Sequence, residues 1–144
     1  MNARVITLVV GLFVLGNGLF GLINPEGMMS TIGFVPDPSK PQPGAALSEI
    51  RAAFGGALAM QGVWLLLATF SPRRYRNGVL LIACLWITGG AGRLISLATN
   101  GDPGFYGWVA IAVEFIVGVA LVVAWREAHE THLAANTVDR SSVR

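Results

Sequence analysis

Asn17, Glu49, Arg51, Arg93 and Glu114 are side chains able to do chemistry, and all lie within or at the edge of long apolar runs. A charged side chain facing lipid costs about 2.5–3.5 kcal/mol on insertion scales, so such groups turn inward and find partners. Two arginines and two glutamates also balance one another. The pattern points to a neutral polar layer. In it Arg93 pairs with Glu114, Arg51 pairs with Glu49, Glu114 or both, and Asn17 supplies hydrogen bonds.

The positions of these residues agree in depth. Arg93 lies seven positions before Asn100, Glu114 seven after Gly107, Arg51 seven after Gly44, and Asn17 seven before Asn24. If those four landmarks are helix ends at one membrane face, seven residues at about 1.5 Å each bury every group by roughly 10 Å. Glu49 falls just above. Each of the four also has a glycine four positions away, on the same helical face. These are Gly89 before Arg93, Gly55 (with Gly56 beside it) after Arg51, Gly118 after Glu114, and Gly21 after Asn17. Small residues let helix backbones come close in lipid, so these five glycines are the expected packing positions. Such a layer supports three readings: a lock between helices, a pocket for a polar head group, or a path for a proton.

The elements that must carry this layer follow from composition. Of the 144 residues, 53% are hydrophobic and only 12% charged. Soluble domains average about a quarter charged, and a mean hydropathy of +0.61 agrees with a membrane protein. Four runs, 5–23, 47–70, 79–98 and 108–125, reach or approach the roughly 20 residues needed to cross a hydrocarbon core. The first resembles a signal peptide but has no A-x-A cleavage site after it, so a retained span is expected. The fold class is therefore all-α: an integral membrane four-helix bundle formed by residues 1–125, with a polar cytoplasmic tail at 126–144.

Arg4, Arg73, Arg74, Arg76, Arg126, Arg140 and Arg144 fall on one side of this arrangement, whereas the opposite loops carry only Lys40. Positive residues stay inside, which predicts cytoplasmic N- and C-termini in an inner membrane. The pI near 9.2 reflects this asymmetry rather than a nucleic-acid surface. In the first outer loop, Asn24-Pro25-Glu26 is a helix-start signal. With Met28, Met29, Ile32 and Phe34 as an apolar face, it predicts a short interfacial helix over 25–33, lying on the membrane surface. Pro36, Pro38, Pro41 and Pro43 then make a stiff extended return. Beyond Trp125, helix is expected for about two turns before the chain frays.

Other motifs lead elsewhere. Gly16-Asn17-Gly18-Leu19-Phe20-Gly21 matches the spacing of a dinucleotide-binding loop, but it lies within a span and lacks the preceding strand. His129 and His132, three apart, lack the third ligand of a helical zinc site, so no metal is expected. No histidine lies within a span, which argues against an intramembrane haem. Cys84 is single, and Ser48, Ser71 and Ser96 have no histidine at their depth. No cofactor follows from these residues.

Three stretches together resemble a known family. They are Pro25 with Ile32-Gly33-Phe34, then Ser48-Glu49-Ile50-Arg51-Ala52-Ala53-Phe54-Gly55-Gly56, and then Gly92-Arg93-Leu94-Ile95-Ser96 with Asn100-Gly101-Asp102-Pro103. The resemblance, over about residues 5–125, is to an uncharacterised bacterial family of small four-helix membrane proteins classed as a domain of unknown function. The plan is also similar to the DoxX/DoxD-like group, some of whose members are associated with quinone-linked oxidoreductases. The first resemblance implies a fold, and the second implies a quinone link. The leading expectation is a non-enzymatic accessory subunit or lipid- or quinone-binding module. It would have the bilayer, a membrane-protein partner or a second copy of itself as partners, and no nucleic acid. The alternatives are a membrane enzyme on an apolar isoprenoid or lipid substrate, with Glu114 as acid or base, and a small transporter.

Overall fold

The structure, a computed structural model, describes residues 2–32 and 44–142, and of residues 131–142 only the backbone. Five helices follow in order: α1 Ala3–Ile23, α2 Pro25–Thr31, α3 Gly44–Phe70, α4 Pro72–Asn100 and α5 Gly104–Ser142. No strand occurs among the described residues. All but α2 are long and apolar enough to cross a membrane. Within the most apolar stretch of each, only 22–39% of residues are buried against the rest of the fold. Most of their Leu, Val, Ile and Phe side chains therefore face outward, the pattern of helices built for an apolar surround.

The four long helices pack tightly at one end and open at the other. Ile6, Val10 and Val14 of α1 lie four apart, on one face. They meet Leu65 and Ala68 of α3, Val79, Ile82 and Ala83 of α4, and Val117, Leu121 and Ala124 of α5 in a single core. All of these lie toward the end that carries Arg4 and the Ser71 corner. At the same end Thr7 and Thr69 share a hydroxyl–hydroxyl bond of 3.0 Å between α1 and α3. Arg76 of α4 donates to His129 Nδ1 of α5 at 2.9 Å. Arginine can only donate, so Nδ1 is the acceptor and the ring carries its proton on Nε2. The same ring stacks on Trp125 at 5.9 Å.

Close α1–α3 contact depends on glycine. A methyl group at Gly62 would come within 2.5 Å of the Leu15 backbone nitrogen, and one at Gly18 would overlap the backbone of Ala59. Of the glycines expected to mediate packing, a methyl group added at Gly21 would fall 2.7 Å from the Phe54 carbonyl oxygen and one at Gly55 would fall 2.9 Å from Leu22. A methyl group at Gly118 would come within 2.5 Å of Ile87, and one at Gly89 would lie 3.3 Å from a Glu114 carboxylate oxygen. Gly56 is different: an added methyl there would meet only its own helix, at Arg51 O. The turn between α4 and α5 also requires glycine, with φ of +89° at Gly101 and +70° at Gly104. Asp102 closes that turn, accepting from the Gly104 N–H and from Trp108 Nε1, both at 3.0 Å.

Three expectations change. The helix over 25–33 is Pro25–Thr31, capped by Asn24 Oδ1 accepting from Gly27 N–H at 2.9 Å. It does not present its methionines outward. Met28 and Met29 are each only 3% exposed, turned onto α1 and the start of α3, because the open end of the bundle leaves an apolar gap they can fill. Second, α3 is not a regular α-helix: Arg51–Gly56 is a π-helical segment. Third, the helix of α5 does not fray after two turns but runs through Ser142. The intervening Glu, Ala and Leu residues favour helix strongly enough to continue it. Phe34 and the prolines at 36, 38, 41 and 43 lie outside the described residues.

Candidate binding pocket

Beyond Val14, Leu65 and Val117 the helices diverge and leave a pocket of about 550 Å³, roofed on one side by α2. Phe13, Phe54, Leu58, Val113, Phe105 and Tyr106 form much of its apolar wall. Its polar side chains are Asn17, Gln61, Trp86, Arg93 and Glu114, with Thr31 on α2. That composition, mainly apolar with a few convergent polar groups, is the usual make-up of a small-molecule site.

The central feature is the pair from α4 and α5. Arg93 Nε donates to both carboxylate oxygens of Glu114 at 3.0 Å. The arginine side chain is 34% exposed and the glutamate 17%. Gly89, one turn from Arg93, gives the carboxylate room against α4. Only Nε is engaged, so the terminal guanidinium nitrogens donate to no protein acceptor among the described residues. About two turns before Arg93 on α4, Trp86 Nε1 donates to Gln61 Oε1 at 3.0 Å, tying α4 to α3; the Gln61 amide nitrogen donates to no protein acceptor among the described residues. Asn17, which lines the pocket, donates from Nδ2 to Phe13 O at 2.9 Å, and its Oδ1 accepts from no protein donor among the described residues. The site therefore offers mostly donors, around one internally neutralised ion pair.

Two residues of the expected layer lie elsewhere. Arg51 pairs with neither Glu49 nor Glu114. It is exposed, and its Nε reaches the Leu22 carbonyl at the end of α1 at 3.4 Å. Glu49 is exposed too, and neither residue lines the pocket. The physical reason is the π-helical segment, which adds a residue to the turn and shifts the phase of everything N-terminal to it. Counting residues from a helix end gives height, and it does not give the direction around the axis. Gln61 and Trp86 carry no charge, so the cost of burying a charge does not point to them. Each nevertheless leaves a sequence signal, an amide in the middle of an apolar run and a tryptophan at mid-helix rather than in an interfacial belt.

The glycine-spaced stretch from Gly16 to Gly21 lies inside α1, where Gly18 and Gly21 serve the contact with α3. His129 is committed to Arg76 and Trp125, and the side chain of His132 lies outside the described residues. No cluster of three metal-ligating side chains occurs among the described residues.

These features define a class: a helical bundle with four helices suited to a membrane, packed at one end and holding a half-polar pocket at the other. Comparison with known families narrows it. Residues 2–125 match the family described as a domain of unknown function (DUF4345), and the chain belongs to that family. No curated protein and no solved structure matches it.

Proposed function

We propose that the chain is a multi-pass protein of the bacterial cytoplasmic membrane, with both termini cytoplasmic, and that its pocket holds one lipid or quinone molecule. It acts either as a small binding module or as an accessory subunit presenting that molecule to a partner. The observation that carries this reading is the half-used guanidinium of Arg93. An arginine has five N–H donors, and here Nε alone meets Glu114, inside a pocket with largely aromatic and aliphatic walls. Free donors at a polar patch within an apolar chamber suit an amphiphile whose acceptor-bearing head meets Arg93 and Gln61 while its apolar part lies along Phe13, Phe54 and Val113. The DoxX/DoxD-like resemblance, with its quinone link, supports the same reading.

The test is mass spectrometry of protein released in mild detergent. Wild type should retain one lipid or quinone per chain. Arg93→Ala should lose it, whereas Arg51→Ala, outside the pocket, should keep it. A folded wild-type protein that retains nothing overturns the proposal. Capture of the same protein partner by wild type and Arg93→Ala would favour an accessory role that does not use the pocket. Glu114 is the observation behind a second reading, an enzyme in which this pocket carboxylate is the acid or base. Glu114→Gln would then retain the fold and the bound molecule but lose turnover.

A further inference from the structure

At the packed end of the bundle lies a second, larger cleft of about 900 Å³, between the start of α1, the corner from α3 to α4, and α5. Arg4, Arg73 and Arg74 line it, all exposed. None of the three is in an ion pair among the described residues. The nearest recorded partner is the Tyr75 ring, 5.6 Å from the Arg74 guanidinium. Three arginines outside any ion pair among the described residues, gathered around one concavity, suit an anion, and arginine's fork matches phosphate oxygens well. The N-termini of α1 and α4 open on the same cleft and add their positive ends, with Ser71 making no side-chain cap at α4.

The cleft is not uniformly basic. α5 brings Glu127 and the exposed Glu130 to it, and Phe70, 79% exposed, stands at its edge beside the arginines. Basic groups, two acids and an outward apolar ring within one cavity at the end of a membrane-length bundle match the parts of a zwitterionic lipid head. Phosphate would meet the arginines, an ammonium would meet Glu130, and an acyl chain would run along Phe70. An ammonium with N–H donors satisfies a carboxylate, whereas a quaternary choline has none to give and a glycerol head carries no positive charge.

We infer that this cleft is a binding site for the head group of an aminophospholipid, a phosphoethanolamine, at the cytoplasmic face. The inference rests on the membrane reading above but uses none of the pocket residues, so the two fail separately. The test incubates detergent-purified protein with equimolar phosphatidylethanolamine, phosphatidylcholine and phosphatidylglycerol of identical chains, and counts adducts by native mass spectrometry. Wild type should favour phosphatidylethanolamine by about tenfold, the scale of one charge-assisted contact. Arg73→Gln with Arg74→Gln, both exposed and so tolerated by the fold, should reduce the adducts of all three lipids, because the phosphate is common to them. Glu130→Gln should shift preference toward phosphatidylglycerol, and Arg93→Ala should change nothing at this site. A wild-type protein that prefers phosphatidylglycerol, or a double variant that binds phosphatidylethanolamine as well as wild type does, overturns the inference. So does binding of inorganic phosphate with no lipid retained, which would mark a free-anion site.

Discussion

Arg93 and Glu114 join α4 to α5 through three atoms, Nε and the two carboxylate oxygens, and the rest of the guanidinium is left for something else. Removing one partner of a buried pair costs about 3–5 kcal/mol because the other is left charged and alone. With a third of the arginine exposed, the expected loss for Arg93→Ala is smaller, about 2–4 kcal/mol by the same reasoning. Adding Glu114→Ala should restore part of it, and thermal melts of the single and double variants in one detergent measure the difference. Strictly additive losses would mean that the pair contributes no coupling. Arg93→Lys separates the two uses of the residue. A lysine retains the charge opposite Glu114 but not the planar fork, so the melt should stay close to wild type while the retained molecule is lost. This pair was legible in the sequence because an unpaired charge in an apolar run is too costly to leave alone. Arg51 was not legible, because its height follows from counting while its outward direction depends on the π-helical segment.

Helix contacts set how wide the pocket can open. α1 and α3 touch backbone to backbone at Gly18 and Gly62, and the opposite ends of α4 and α5 are joined by the turn at Gly101 and Gly104. Gly62→Val should force α1 from α3 and cost more than about 3 kcal/mol, since overpacking against backbone has no side chain to yield. Gly16, in α1 two residues before Gly18, is a direct control. A methyl there meets nothing within 4 Å, so Gly16→Ala should raise stability by about 0.5–1 kcal/mol through helix propensity. Opposite signs two residues from Gly18, read from melting temperatures, would locate the α1–α3 contact; equal effects at Gly16 and Gly62 would contradict it. The four long helices could be read from hydropathy alone. The inward turn of α2 could not, because whether Met28 and Met29 meet lipid or protein depends on how far the other helices splay.

At the scale of the molecule, charge and shape divide the bundle into two unlike halves. One end carries the arginines at 4, 73, 74 and 76 around a dense core, and the other carries the pocket, α2 and the Gly101–Gly104 turn. If the basic end is cytoplasmic, the pocket opens toward the outer leaflet, and a molecule entering it comes from that side. Single cysteines test this orientation directly in a Cys84→Ser background, since Cys84 is the chain's one cysteine and is exposed. Asp102 lies at the pocket end and Ser71 at the core end, both exposed. In intact spheroplasts, a membrane-impermeant maleimide should label Asp102→Cys at once and Ser71→Cys only after lysis. Asp102 also caps α5, so Asn100→Cys, one position before the Gly101 turn, is the companion site that leaves that cap in place. Labelling of Ser71→Cys from outside, with both pocket-end sites protected, would invert the molecule. The pocket would then open to the inner leaflet, and the arginine cleft would face away from the cytoplasm. The pocket reading would keep its residues and draw on the other leaflet, whereas the head-group inference would lose its cytoplasmic placement.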